Sequence, residues 1–144
     1  MQIIAIDPDK SKVDRIRRVM NERGVYGTRI VAHVGDPASF SLPPCLANVI
    51  FSDELQDTTA PDELARLGTH LFESLRPYGG TLCLQLSDAQ HKALENLIDE
   101  GKFAKGELSR EGEVSLLRRV GSLPGSGSWT HQYADATNLS LIHI

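Results

Sequence analysis

Disulfide chemistry has little to work with in this chain of 144 residues, which holds two cysteines, Cys45 and Cys83. Their number and spacing suggest neither a disulfide framework nor a zinc site. Two unpaired thiols lean toward a reducing compartment. Aromatic residues are scarce at 6%, and Trp129 is the sole tryptophan. No apolar run approaches the roughly 18 residues that a membrane span requires. Positive charge is not in excess either: 15 basic residues face 19 acidic ones, giving a net charge of -4. That balance removes the electrostatic case for binding nucleic acid. Arg15, Arg17 and Arg18 are the nearest approach to a basic patch, and their spacing reads as a solvated helix face. What is present, 40% apolar and 24% charged residues, is the composition of a globular domain with one core.

The apolar runs are short and alternate with helical patterns. Ile3-Ile4-Ala5-Ile6 ends abruptly at Asp7-Pro8, as a strand buried on both faces of a parallel sheet would. Val13, Ile16, Val19 and Met20 then recur at helical spacing, and Gly24 is placed to close that helix. Arg29 to Val34 reads as a strand ending at Gly35-Asp36-Pro37, and Ala47 to Phe51 as another ending at Ser52-Asp53-Glu54. Thr59 and Asp62 have capping-box spacing with Pro61 in the first turn, and Leu64, Leu67, Leu71 and Leu75 mark one helical face. Thr81 to Leu86 predicts a fourth strand. Ser87 and Gln90 predict a second capping box, opening a helix that runs to Gly101. Phe103 to Ser109 and Glu113 to Val120, joined through Glu111-Gly112, predict an antiparallel hairpin. The expected fold is α/β, a three-layer and mostly parallel sheet with a C-terminal hairpin. From Gly121 the composition is that of a linker, so the domain is expected to end near Val120.

Three strand ends carry carboxylates: Asp7, Asp36 and the pair Asp53-Glu54. A parallel sheet puts such ends on one rim, where ligands of these folds sit. A carboxylate there can hold ribose hydroxyls or accept an exocyclic amine. Each also has an ordinary reading, because Asp is favoured after strands as a turn former or helix cap.

Taken in order, Ile4-Ala5-Ile6-Asp7, Val34-Gly35-Asp36, Asn48-Val49-Ile50-Phe51-Ser52 and Leu75-Arg76-Pro77-Tyr78-Gly79-Gly80-Thr81-Leu82 resemble the class I S-adenosylmethionine-dependent methyltransferases. The similarity covers Gln2 to Val120. The last segment is the most distinctive, since the family commonly carries an LRPGG-like turn before its fifth strand. Tyr78 departs from that pattern by replacing a glycine. The resemblance implies that Asp7 binds the ribose hydroxyls of S-adenosylmethionine and that Pro8 lies against the adenine. Asp36 would accept the adenine amine, with Gly35 and Pro37 shaping its loop. Ser52 and Asp53 would border the methionine portion and the transferred methyl, and Asp53 and Glu54 would be the catalytic carboxylates if the acceptor must lose a proton. Glu54 reads equally as a first-turn acid. The family's first strand and its glycine-rich loop, E/D-x-G-x-G, precede the strand at Ile3 and have no counterpart in this sequence. The chain is therefore expected to be a fragment of a longer protein.

After the linker, Trp129 to Asn138 is similar to the opening of a quinoprotein-like β-propeller repeat, which implies a fused propeller beginning within residues 121–138. An aromatic tail packing on its own domain is the alternative. Leu139 to Ile144 resembles a translated sequencing adapter and is set apart from the fold. The expected activity is methyl transfer in the complete protein, located in the cytoplasm where S-adenosylmethionine is made. Two alternatives remain: a non-catalytic module beside a propeller, and an NAD-binding half-domain, since an acid holding a ribose is shared with dehydrogenases.

Overall fold

The computed structural model describes residues 1–52 and 61–128. In chain order the elements are β1 (Ile3–Asp7), α1 (Lys10–Glu22), β2 (Ile30–Val34), β3 (Val49–Ser52), α2 (Pro61–Glu73), β4 (Gly80–Gln85), α3 (Asp88–Asp99), β5 (Gly106–Glu111) and β6 (Val114–Arg119). Every predicted strand and helix among the described residues is present, with ends shifted by up to three residues. Thr59 lies outside them.

Local chemistry explains the helix boundaries. Asp9 caps α1 by accepting the Ser11 N–H at 2.7 Å, and Gly24 turns the chain away at φ +66°, a conformation glycine adopts without a side-chain clash. At α3 the capping box forms as the sequence predicts: the Ser87 hydroxyl accepts from the Gln90 N–H while the Gln90 side chain accepts from the Ser87 N–H. The hairpin loop is Gly112-Glu113, one residue later than expected, because Glu111 pairs with Val114. Gly112 supplies the positive φ of +61° that a tight hairpin needs.

The strands form two sheets rather than one. β1 pairs parallel with β2; the second sheet has the order β3-β4-β6-β5. In that sheet only β3 and β4 are parallel, while β6 runs antiparallel to both β4 and β5. The expectation of a single, mostly parallel sheet is corrected accordingly. The physical reason is that no described strand lies between β1 and β3. The layers are correspondingly incomplete. Leu82 and Leu84 of β4 and Leu117 of β6 point into a core with Leu64, Leu67, Leu71, Phe72, Leu75, Leu94 and Phe103, so α2 and α3 cover one face. Strand alternation puts Val49, Phe51, Cys83 and Leu116 on the other face, as their pairing in register requires. Val49 and Phe51 are 64% and 60% exposed.

The link from β2 to β3 runs along α2. His70 donates from Nε2 to the Phe40 carbonyl at 2.8 Å, the Cys45 N–H reaches Glu73, and the Ala47 N–H reaches Ser74. It thereby delivers the chain to the start of β3. Arg119 ties the far end of α2 to β6 by donating to the carbonyls of Phe72, Glu73 and Leu75 and stacking over the Phe72 ring. Beyond β6, the Gly121 carbonyl accepts from the Tyr78 N–H and Ser122 accepts from Lys105, so the chain stays attached past Val120.

Two substitutions test these local arguments. Ser87→Ala removes the hydroxyl half of the α3 cap, leaving the backbone N–H that Gln90 accepts from, and is expected to lower unfolding free energy by about 1 kcal/mol in denaturant melts. Tyr78 stands at φ +59° with 76% of its surface exposed. Tyr78→Gly should therefore raise stability by about 1 kcal/mol, relieving left-handed strain with little burial lost.

Candidate functional site

Parallel pairing in register puts Asp7 opposite Val34, so the ends of β1 and β2 share a rim. The Asp7 carbonyl accepts from the Gly35 N–H, carrying the pairing one residue further. Asp7, Pro8, Asp36, Pro37 and Ser52 all line one cleft, which also extends along the β1 and β3 edges through Ile3, Ile4, Ile6, Val49, Ile50 and Phe51. Five of the eight residues proposed from sequence are thus brought together. Gly35 stands beside them without lining the cleft, and Asp53 and Glu54 lie outside the described residues.

The carboxylates are in different states of use. Asp7 Oδ1 accepts the Asp9 N–H at 2.7 Å, making the turn that the ordinary reading predicts, but the cap of α1 is Asp9. Among the described residues, Asp7 Oδ2 meets the Lys12 ammonium, at 3.4 Å. Such a long contact at the surface is weak beside a well-aligned hydrogen bond. Asp36 spends both oxygens on its own loop, Oδ1 on the Ala38 N–H at 2.9 Å and Oδ2 on the Ser39 hydroxyl at 3.2 Å. Gly35 is a glycine for a packing reason: a Cβ there would stand 2.6 Å from the Phe40 ring, which itself rests on His33.

Glu63 also lines the cleft and escaped the sequence reading. Its signal was present, an acid in the first turn after Pro61, but such acids are ordinarily explained by the helix dipole. Among the described residues no cluster of three or more histidine, cysteine, aspartate or glutamate side chains is arranged to hold a metal ion, and no helix is long and apolar enough to cross a membrane.

The cleft measures about 1320 Å³. Small-molecule sites typically occupy roughly 300–1,000 Å³, so this space is larger than a nucleoside pocket requires. Its rim is polar and carries three carboxylates. Its walls are two apolar strand edges, and its floor reaches Leu67 and Leu71 of α2.

No family model matches the chain, and no curated protein matches it. Solved structures do match. A Methanococcus maripaludis protein, provisionally named an S-adenosylmethionine-dependent methyltransferase, superposes with a TM-score of 0.61 at 14% identity, over 85% of this chain and 69% of its own. The S-adenosylmethionine-dependent methyltransferase SibL gives 0.58 at 13% identity, over 83% and 44%. The [4+2]-cyclase SpnF gives 0.58 at 16% identity, over 76% and 44%. The chain shares the fold of these structures. The chain spans about half the length of several of these structures, 44% in two of the three.

On the open face, Cys83 offers a chemical probe. Burial, and then the charge of Glu111, push its thiol above the usual value of 9.0. Iodoacetamide labelling of Cys83 should be slow at pH 8 and still climbing above pH 9, because only the thiolate reacts. A plateau below pH 9, followed by mass spectrometry, would contradict that environment.

Proposed function

We propose that this chain is part of an S-adenosylmethionine-dependent methyltransferase, with its nucleoside end held at the rim formed by Asp7 and Asp36. The observation that carries this reading is the gathering of Asp7, Pro8, Asp36, Pro37 and Ser52 around one cleft in a fold shared with such enzymes. The residues fit the cofactor in graded fashion. Asp7 has an oxygen that meets Lys12 at a long 3.4 Å and can accept ribose hydroxyls. Asp36 can accept an adenine amine only by releasing Ser39. Pro8 and Pro37 supply apolar surface on either side, and Gly35 keeps Phe40 seated beneath the loop.

When bound, S-adenosylmethionine supplies an electrophilic methyl on a sulfonium. The protein's part is then to orient and to exclude water, since in-line displacement asks little else. Ser52 stands where the methionine portion would run. Asp53 and Glu54 follow it directly and would accept a proton from an acceptor that must lose one. Glu63 adds a further acid at the same rim.

The fragment reading belongs to this proposal. The rest of the cofactor needs a main-chain cradle that glycine permits, and we assign it to chain lying before Gln2 in the intact protein. A propeller beginning at Trp129, an adapter-derived tail from Leu139, and a cytoplasmic site of action complete the proposal.

A second reading rests on SpnF, named a [4+2]-cyclase. The same fold can thus serve chemistry other than methyl transfer, and a non-methylating domain remains the runner-up. An NAD-binding half-domain is disfavoured by the antiparallel strand β6 inserted between β4 and β5.

Isothermal calorimetry on the intact protein tests the nucleoside site. Asp7→Ala should weaken S-adenosylmethionine binding by about 1.5–3 kcal/mol, the range for hydrogen bonds to a charged group. Asp36→Ala should cost less, because its partner is a neutral amine. Equal affinities for wild type and Asp7→Ala would remove the reading.

A further inference from the structure

We propose that His70 is a positioning residue for the nucleoside end of the site, holding Asp36 where its carboxylate can select an exocyclic amine. The inference rests on the reading that Asp36 meets the adenine amine. To that reading it adds a residue of α2 that does not itself line the cleft.

The path from Asp36 to His70 is short. The Ser39 and Phe40 N–H groups donate to the Asp36 carbonyl at 3.0 and 2.8 Å, closing one turn with Asp36 at its start. The Asp36 carboxylate joins the same turn by accepting from the Ala38 N–H and the Ser39 hydroxyl. Phe40 ends the turn, and its carbonyl accepts from His70 Nε2 at 2.8 Å. A shift of Phe40 is thus passed to Asp36 through the hydrogen bonds of a single turn.

Phe40 is also held by its ring, but from the other side. The ring rests on His33, with centroids 5.4 Å apart, and lies so close to Gly35 that a Cβ there would stand 2.6 Å from it. Those contacts belong to β2 and its end, the unit that carries Asp7. The His70 bond differs because it crosses to α2 and the main core. Ala38 packs against that core as well, yet an apolar contact is non-directional and permits sliding. Hydrogen bonds from Cys45 and Ala47 to the end of α2 come later in the link. A hydrogen bond is directional, so His70 sets where the Asp36 turn sits against α2.

The bond also fixes the state of the ring. A carbonyl can only accept, so Nε2 must carry a proton. In the neutral ring that selects one of two tautomers. The effect on recognition is selective. Asp36 must leave Ser39 to accept an amine, an exchange that gains only while the carboxylate is held in register with the ligand edge. A loosened turn keeps Ser39 and gives up the amine. Asp7 is unaffected, since the ladder of β1 with β2 does not involve Phe40.

Calorimetry on the intact protein tests the proposal with two probes, S-adenosylhomocysteine and its analogue carrying hydrogen in place of the adenine amine. A site that hydrogen-bonds a ligand group rejects an analogue lacking it. Wild type should prefer the amine-bearing ligand by about fivefold, the worth of one hydrogen bond. In His70→Ala the preference should fall to about twofold or less, with the loss confined to that ligand. His70→Gln should restore it, because the glutamine amide reaches as far as Nε2 and still donates. Should His70→Ala not fold, His70→Asn, whose amide is too short to reach Phe40, takes its place. Nitrogen-resolved NMR of the wild type should show neutral His70 as the Nε2–H tautomer.

Equal weakening of both ligands would make His70 a structural contact only and overturn the proposal. An unchanged preference, no recovery in His70→Gln, or the Nδ1–H tautomer would overturn it too. Asp36→Ala separates this inference from the reading beneath it. If Asp36→Ala abolishes the preference and His70→Ala does not, the nucleoside site stands and His70 has no part in it. If Asp36→Ala keeps the preference, or wild type shows none, Asp36 does not meet the amine and both fail.

Discussion

Burial of β4 is the constraint on which the rest of this structure depends. Leu82 and Leu84 are fully enclosed, and each such leucine contributes on the order of 2 kcal/mol on leaving water. To cover them, α2 must present Leu64, Leu67 and Leu71, and α3 must present Leu94. Phe72 and Phe103 meet edge to face and close the same core near β5. Arg119 then anchors the carbonyl end of α2 while its stem and guanidinium lie on Phe72. Each of these groups is placed by β4 and would be exposed without it.

The β1–α1–β2 unit has no comparable core. Val13 and Ala32 are its only fully buried apolar residues, and a two-stranded ladder with one helix is marginal alone. It is attached through the 35–47 link, by His70 on Phe40 and by Ala38 against the main core. The candidate site spans exactly this division: Asp7 and Asp36 belong to the weakly cored unit, Ser52 and Glu63 to the strongly cored one. Ligand geometry at the rim therefore depends on whatever fixes the two units relative to each other. This chain spans 44% of the length of two of the larger structures that share its fold.

Much of the fold was legible because its signals are local. Ser87 and Gln90 form a capping box that uses only neighbouring atoms. The period of Leu64, Leu67 and Leu71 fixes a buried face whatever lies against it. Gly112 marks the hairpin because a tight turn needs its positive φ. Asp7 and Asp36 could be assigned to one rim because parallel strands after short apolar runs leave little choice. The less legible parts depend on distant partners. Asp9 rather than Asp7 caps α1, a choice between two acids two residues apart. Glu63 reaches the cleft only because α2 packs where it does.

The sequence by itself determined the order and type of the elements, the parallel sense of β1 and β2, and the buried helical face of Leu64, Leu67, Leu71 and Leu75, because periodicity and capping are encoded within a few neighbours. It did not determine strand burial, since Ile3 and Ile4, expected to be covered on both faces, are 44% and 42% exposed. Tertiary structure alone decided that the strands divide into two sheets, that Gly35 is required by the Phe40 ring, and that Val49 and Phe51 face solvent. Those outcomes turn on which groups meet across long stretches of chain, and an apolar strand reads the same whether its edge is paired or open.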